Sequence, residues 1–162
     1  MRKVQESVRQ SRARLTLVDP SIIHITIKFL GEIETARAGP VTEALKGIRL
    51  EPFDISVTGI STNNPRNPRV VWGTIGDRGE CRKLFDQVET ALAALRFPRE
   101  QRGFTPHATI ARVKVFDPSL IQVIRPYISE SLGECHISGF SLKKSTLTPS
   151  GPVYENMMEV TW

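Results

Sequence analysis

The sequence predicts an α+β fold whose strands pair mainly antiparallel. Apolar spacing gives the order helix, two strands, helix, two strands, helix, strand, helix, two strands, so helices alternate irregularly with strand pairs. A chain of 162 residues fits one domain or two small lobes that share a core. A strand that carries His-x-Thr and is followed by a helix occurs twice, and this repeat favours two similar lobes.

Four segments have the apolar spacing of amphipathic helices. Val4 and Val8 mark the buried side of a first helix, which we expect to end near residues 11–13. The same Arg- and Ser-rich start resembles a mitochondrial presequence, but the helical spacing favours a helix of the domain. The other predicted helices cover residues 36–47, 79–96 and 117–132.

Seven segments are rich in β-branched residues or alternate apolar and polar residues, and turn residues separate them. These predicted strands cover residues 15–18, 22–30, 53–60, 70–75, 107–115, 135–147 and 153–161. A turn of sequence Pro-Ser-Gly-Pro at 149–152 joins the last two strands.

The composition is that of a globular protein with an excess of positive charge. The net charge of +5 favours polyanionic partners through long-range attraction. Cys81 and Cys135 form no C-x-x-C pair, so zinc sites and disulfide frameworks are not predicted, and a cytoplasmic setting fits best. No apolar stretch approaches the length of a membrane span.

Three short triplets combine a histidine with a hydroxyl two residues later. They are His24-Ile25-Thr26, His107-Ala108-Thr109 and His136-Ile137-Ser138. In a strand the first and third side chains of each triplet share a face, so imidazole and hydroxyl point the same way. The spacing alone does not decide which two triplets form a site, and a half-buried structural histidine is the commoner case.

Two imidazoles that converge on one anion can run phosphoester cleavage. One histidine takes a proton from the attacking oxygen, and the other gives a proton to the leaving oxygen. Threonine hydroxyls can donate hydrogen bonds to the phosphoryl oxygens, where negative charge builds. Lys28 shares the face of His24 and Thr26 by alternation and can add positive charge. No carboxylate cluster accompanies the histidines, so neither a metal nor another cofactor is predicted.

The flanks of two triplets narrow the choice. HITIKFLGE at 24–32 and FTPHATIAR at 104–112 resemble the signature segments of the RNA 2′,3′-cyclic phosphodiesterases. This family, long called 2′–5′ RNA ligases, belongs to the two-histidine phosphoesterase superfamily. PRVVWGTI at 68–75 and STLTPSGPVYE at 145–155 resemble its central strand and closing hairpin, so the resemblance covers about residues 15–160. His136 lacks the Thr-Pro lead-in and the following Arg, and we interpret it as structural.

The resemblance implies a bilobal fold with two antiparallel sheets around a central cleft. It also implies hydrolysis of a ribose 2′,3′-cyclic phosphate to a 2′-phosphate end. In that scheme His107 is the proton acceptor that activates water, and His24 is the proton donor to the departing 3′ oxygen. Thr26 and Thr109 hold the phosphate.

Two further substrate-binding residues come from the resemblance. Arg112 matches a phosphate-contacting arginine and Tyr154 falls near the implied site. Strict alternation puts Arg112 on the face opposite His107, so its role requires a bulge or a strand end between Thr109 and Arg112. The family's usual first strand has no counterpart before the first predicted helix, so either the start of the chain is shortened or the strand is truly absent. If the strand is absent, one sheet leaves neighbouring edges exposed.

Other residues have both a functional and a structural interpretation. Loop arginines can form a phosphate-tracking rim or be scattered solvated charge, namely Arg66, Arg69, Arg99 and Arg102. Phe29 and Trp72 can stack a base, but core packing is the favoured interpretation for both.

The predicted function is metal-independent hydrolysis of RNA or nucleotide 2′,3′-cyclic phosphates by paired histidines. The alternatives are 2′–5′ joining of RNA ends such as tRNA halves, since the same acid and base run both directions, and a non-catalytic RNA-binding module. We expect a cytoplasmic monomer that acts on RNA or nucleotides with a cyclic end and has no membrane association.

Overall fold

The computed structural model describes residues 1–148 and 151–162, and the predicted turn residues Pro149 and Ser150 lie outside them. The helices are α1 (Arg2–Arg9), α2 (Thr35–Lys46), α3 (Glu80–Ala94) and α4 (Ser119–Ile124). The strands are β1 (Arg14–Leu17), β2 (Phe53–Thr62), β3 (Val70–Gly76), β4 (His107–Val115), β5 (Glu134–Ile137), β6 (Gly139–Thr148) and β7 (Gly151–Thr161). The predicted α+β class with mainly antiparallel strands is confirmed.

The chain forms two compact units, neither of which is continuous in sequence. The first unit comprises residues 1–26, 54–78 and 105–135. Its sheet has the strand order β1-β4-β3-β2-β5, and the pairs β1–β4, β4–β3 and β3–β2 are antiparallel. Helices α1 and α4 cover one face, where an apolar core forms from Val4, Val8, Ile60, Val71, Ile110, Ala111, Val113, Leu120, Ile124 and Tyr127.

The second unit comprises residues 27–53, 79–104 and 136–162. The antiparallel hairpin β6–β7 and helices α2 and α3 enclose its core, formed by Val41, Leu45, Ile48, Leu84, Val88, Leu92, Phe97, Met158 and Val160. Gly139 opens β6 so close to the partner strand that a Cβ atom there would lie 2.1 Å from the Val160 carbonyl oxygen. Only glycine therefore fits at this corner.

Three predicted elements are wrong in extent. The run at 22–30 is not a continuous strand: a 3₁₀ turn covers Pro20–Ile22, and beyond it only Ile25 forms a β-bridge. A strand needs a neighbour to pair with, and among the described residues only Ala108 provides one here. The helix at 117–132 ends at Ile124, because Pro126 lacks the N–H that a continued α-helix needs, and the chain goes on as a 3₁₀ turn over Arg125–Tyr127.

The third change concerns the segment 135–147, which divides at Ser138 into β5 and β6. Both His-x-Thr triplets that resemble the family lie in the first unit, so the repeat does not give one motif to each unit. Within the described residues, no helix is both long and apolar enough to cross a membrane.

Candidate active site

A single β-bridge brings the two distant histidine triplets together. Ile25 pairs antiparallel with Ala108 of β4. One residue further in each direction, this register sets His24 across from Thr109 and Thr26 across from His107. The two histidines are therefore diagonal neighbours, a relation that separates strand positions by roughly 7–8 Å. Ala108 is buried, so these four side chains share the opposite face of the sheet.

Both imidazoles are held in the same way. Nδ1 of His24 lies 2.8 Å from the carbonyl oxygen of Ile22, and Nδ1 of His107 lies 2.9 Å from that of Thr105. A carbonyl oxygen only accepts hydrogen bonds, so each Nδ1 carries a proton and donates it. Nε2 is then the nitrogen that takes up or releases a proton in either ring. The same anchor suits a base and an acid, so it does not distinguish their roles.

The backbone of β4 contains the bulge that Arg112 requires. Val71 of β3 pairs with Ala111, whereas the next residue, Trp72, pairs with Thr109, so Ile110 is an extra residue. Ile110 and Ala111 are both fully buried, and Arg112 is exposed. The bulge shifts the alternation by one residue and puts Arg112 on the face of His107 and Thr109.

Trp72 packs against one of the two histidines. Its indole lies with its ring centroid 4.6 Å from that of His107, at an interplanar angle of 42°. The predicted core position of Trp72 is wrong, because its neighbours Val71 and Gly73 are buried and Trp72 is half-buried on the opposite face, with His107. The alternation in VVWGTI was a usable signal, since a core position for Val71 turns the indole of Trp72 away from the core.

His24 depends on a turn rather than on a ladder of strand pairs. Asp19 accepts hydrogen bonds from the backbone N–H and the hydroxyl of Ser21, at 2.8 and 2.7 Å. These hydrogen bonds lower the pKa of the Asp19 carboxyl below its ordinary value, and the bond from the backbone N–H has the larger effect. The turn they close presents the Ile22 carbonyl that anchors His24.

Gln5 of α1 occupies the gap where the chain leaves β1 for this turn, and no pattern in the sequence selects it. Its side chain is nearly fully buried. Nε2 donates to the carbonyl oxygens of Val18 and Ile110, at 2.6 and 2.9 Å. Gln5 therefore links the start of the His24 turn to the extra residue of the β4 bulge.

The remaining predicted site residues belong to the second unit. Lys28 forms an ion pair with Glu89, and both side chains are over nine-tenths buried; its Nζ also donates to the Pro98 carbonyl oxygen at 2.9 Å. The Lys28 charge is thus paired with a carboxylate in this structure, and its role as a substrate contact stays a prediction. Tyr154 lies half-buried on β7 across from Ser145, and His136 is exposed on β5.

The arginines considered for an RNA rim are all exposed, two in each unit. The core position predicted for Phe29 is wrong, since 83% of its surface is exposed. In the part of the chain that the structure describes, no group of three or more His, Cys, Asp or Glu side chains is placed to hold a metal ion.

Comparison with known proteins identifies the family. The profile of the LigT-like phosphoesterases matches residues 1–72 and 76–154. The chain belongs to the LigT-like phosphoesterase family. It is 39% identical over 141 residues to an RNA 2′,3′-cyclic phosphodiesterase of Archaeoglobus fulgidus, covering 86% of this chain and 80% of the relative. It is 35% identical over 162 residues to the Aeropyrum pernix protein of the same name, covering 98% of this chain and 92% of the relative.

Solved structures agree with this LigT-like fold. The crystal structure of TT0787 from Thermus thermophilus superposes with a TM-score of 0.80 at 29% identity, covering 98% of this chain and 87% of that protein. LigT of E. coli superposes with a TM-score of 0.73 at 18% identity, covering 98% and 91%. The family expected from the two nine-residue segments is therefore confirmed, and the chain is a phosphoesterase.

Proposed function

We propose that this phosphoesterase hydrolyses RNA or nucleotide 2′,3′-cyclic phosphates to 2′-phosphate ends, without a metal, by paired histidine acid–base catalysis. The observation that carries the proposal is the diagonal pair His24 and His107, each anchored through Nδ1 and each beside a threonine hydroxyl. Relatives covering most of the chain are named RNA 2′,3′-cyclic phosphodiesterase, which supports the same substrate.

In the proposed reaction, Nε2 of His107 takes a proton from water as the water oxygen forms a bond to phosphorus. The bond between phosphorus and the ribose 3′ oxygen breaks, and Nε2 of His24 gives that oxygen its proton. The product carries a 3′ hydroxyl and a 2′ phosphate. Exchange with solvent then restores both histidines.

Three groups stabilise the phosphate in this proposal. Thr26 and Thr109 donate hydroxyl hydrogen bonds to the non-bridging oxygens, and Arg112 supplies a positive charge on the same face. Tyr154 stays a predicted substrate contact that rests on the family resemblance. The predicted cytoplasmic setting and monomeric state also stay predictions.

The test is incubation with nucleoside 2′,3′-cyclic phosphates in excess EDTA. We expect turnover to the 2′-phosphate isomer alone, which chromatography separates from the 3′ isomer. Loss of activity with chelator would indicate a metal enzyme, and affinity without turnover would indicate a binding module. Release of the 3′-phosphate isomer would contradict the proposed donor role at the 3′ oxygen.

Joining of RNA ends is the second candidate function. In this joining, the 5′ hydroxyl of a second RNA takes the place of water: His107 takes its proton as its oxygen bonds to phosphorus, the bond to the 3′ oxygen breaks with a proton from His24, and a 2′–5′ linkage results. The same two histidines can run the step backwards, from the linkage to the cyclic end. RNA halves at high concentration, with the product checked for a 2′–5′ linkage, test it.

A further inference from the structure

Three exposed cations continue the site face along the sheet of the first unit. Arg112 and Lys114 lie on β4, and Arg14 lies on β1. Ala111 and Val113, the two neighbours of Arg112 on β4, are buried in the core. Since side chains alternate between faces, Arg112 and Lys114 project away from the core, as do His107 and Thr109.

A second irregularity keeps the end of this row on the same face. Leu15 pairs with Val113, but Arg14 pairs with Val115, so Lys114 is an extra residue. Lys114 and Val115 are both exposed, whereas Phe116 packs against the core again. Arg14 lies across from this exposed pair, and Leu15 next to it packs on the core side. The three cations thus share one face with the histidines.

No carboxylate of the described residues compensates the charges of these cations. Among the described residues none of the three forms an ion pair, in contrast to Arg12 of the same unit, whose Nε lies 3.5 Å from an Asp117 carboxylate oxygen. From Thr109 to Lys114 the strand runs about 15 Å. This is the length of a few nucleotides of a single strand.

We propose that Lys114 and Arg14, which extend the row of cations beyond Arg112, form a track that binds the phosphates upstream of the cyclic end, while Arg112 contacts the cyclic phosphate itself. The inference rests on the proposed function and names its substrate class, which is single-stranded RNA of at least three nucleotides rather than a free nucleotide. The terminal phosphate lies between the histidines, and the preceding nucleotides follow β4 toward Val115. Base identity matters little, because phosphates carry the contact.

The experiment compares substrates that carry the same 2′,3′-cyclic end and contain one, two, three or four nucleotides. We expect kcat/KM to rise about tenfold from one to three nucleotides at low salt and then to level off. The gain should appear in KM more than in kcat, because the added contacts are the same in ground and transition states. Added salt should raise the KM of the three-nucleotide substrate more steeply than that of the mononucleotide.

Single substitutions test the track. Lys114→Ala and Arg14→Ala should each lower kcat/KM for the three-nucleotide substrate several-fold more than for the mononucleotide. Each should also reduce the slope of log KM against log salt by about 0.7, the value of one lost phosphate contact on a single strand. Matched controls are Lys83→Ala on α3 and Arg125→Ala, which lies in the helical layer beyond α4. These exposed charges lie off the track, and we expect no change in length dependence.

The outcomes separate this inference from the proposed function. Equal kcat/KM for all substrate lengths, or equal effects of the track and control variants, would overturn the track while leaving hydrolysis intact. If no cyclic phosphate is turned over, the proposed function fails. Fluorescence anisotropy with RNAs that end in a 2′ phosphate then decides the track alone: affinity that grows with length and falls in Lys114→Ala supports it, and length-independent affinity rejects it.

Discussion

The two histidine segments share a local sequence but differ in what holds them. His107 opens β4, which pairs with β3 on one edge and β1 on the other, and its half-buried ring packs against Trp72. His24 is exposed and lies in an extended segment with a single bridge, preceded by a turn that Asp19 closes. Yet each ring donates through Nδ1 to the carbonyl two residues before it.

The difference teaches that ring orientation and ring position have separate causes. The Nδ1 anchor is local and works in both segments, so it fixes which nitrogen exchanges a proton. Position depends on the surrounding backbone, which is a cooperative sheet for His107 and one turn plus one bridge for His24. Segments with few backbone pairs open locally at low free-energy cost. We therefore expect the His24 side to be the more easily disturbed half of the site.

The largest expected effect on turnover tests whether both histidines of the site are needed. His24→Ala and His107→Ala should each lower kcat by at least about a hundredfold, because each removes one half of the proton transfer. Turnover of a nucleoside 2′,3′-cyclic phosphate is the measurement.

The control for this prediction is His136→Ala, which removes an exposed histidine from the second unit and should leave turnover unchanged. Near-normal turnover in either of the first two variants would refute the paired mechanism. A bell-shaped pH dependence of kcat/KM, with one limb lost in each active-site variant that retains measurable turnover, would support it.

The next effect concerns Gln5, the residue that joins the two segments. Gln5→Met keeps the length of the side chain but removes both donors, and we expect kcat/KM to fall about tenfold as the bulge at Ile110 and the turn at Val18 relax. If Gln5 acts by placing Arg112, then Gln5→Met should have little further effect in an Arg112→Ala background.

Ser7→Ala is the matched control for Gln5, because it lies on the same helix and breaks a 2.7 Å hydrogen bond to the Tyr127 hydroxyl without touching the sheet. We expect it to cost stability in thermal unfolding and to leave kcat/KM unchanged. Fully additive effects of Gln5→Met and Arg112→Ala would show that Gln5 does not act through the bulge.

Sequence patterns predicted most of the fold because most elements follow from local periodicity. The strand at 107–115 has its predicted bounds, and the helix at 79–96 is close to α3. The family and the condition for Arg112, a bulge or a strand end after Thr109, were also accessible from sequence. Apart from the helix at 117–132, which ends early at the local Pro126, the failures lie where an element depends on a distant partner.

The segment 22–30 shows this dependence, since its β-branched residues cannot reveal that only Ile25 has a partner. The ion pair of Lys28 is a similar case, because alternation gives the face of Lys28 but not its distant partner Glu89. The double donor role of Gln5 depends on two carbonyls 13 and 105 residues away in sequence. No periodicity within a helix encodes such contacts.

A smaller effect sharpens the comparison on the His107 side. Trp72→Leu removes the ring that packs on the imidazole, and aromatic pairs of this kind contribute about 1 kcal/mol, so we expect kcat to fall about fivefold. Trp72→Phe retains an aromatic face and should retain most of the rate. Equal losses in both variants would mean that indole volume, rather than the ring contact, supports His107.

The smallest effect tests the turn on the His24 side. Asp19→Ala removes the acceptor of the two Ser21 hydrogen bonds, and we expect kcat to fall about threefold at neutral pH as the Ile22 carbonyl loses its fixed position. Asp19→Asn keeps an acceptor oxygen and should lie near wild type. The two hydrogen bonds lower the pKa of Asp19 from its ordinary 3.8. Their stabilisation of the turn is therefore complete above pH 3.8 and is lost only as the pH falls through the lowered pKa.

The chain supplies its own control for this turn, since the tripeptide Asp-Pro-Ser recurs at 117–119. Asp117 accepts a hydrogen bond from the Ser119 N–H at 2.9 Å. Hydrogen bonds from Ser119 likewise lower the pKa of Asp117, and the bond from the side chain has the largest effect. That turn starts α4 and supports no histidine, so Asp117→Ala should change thermal stability but not kcat. A rate loss as large as that of Asp19→Ala would mean that the Asp19 turn acts through general stability. A loss confined to Asp19→Ala would show that one short turn holds the position of His24, the part that a full sheet plays for His107.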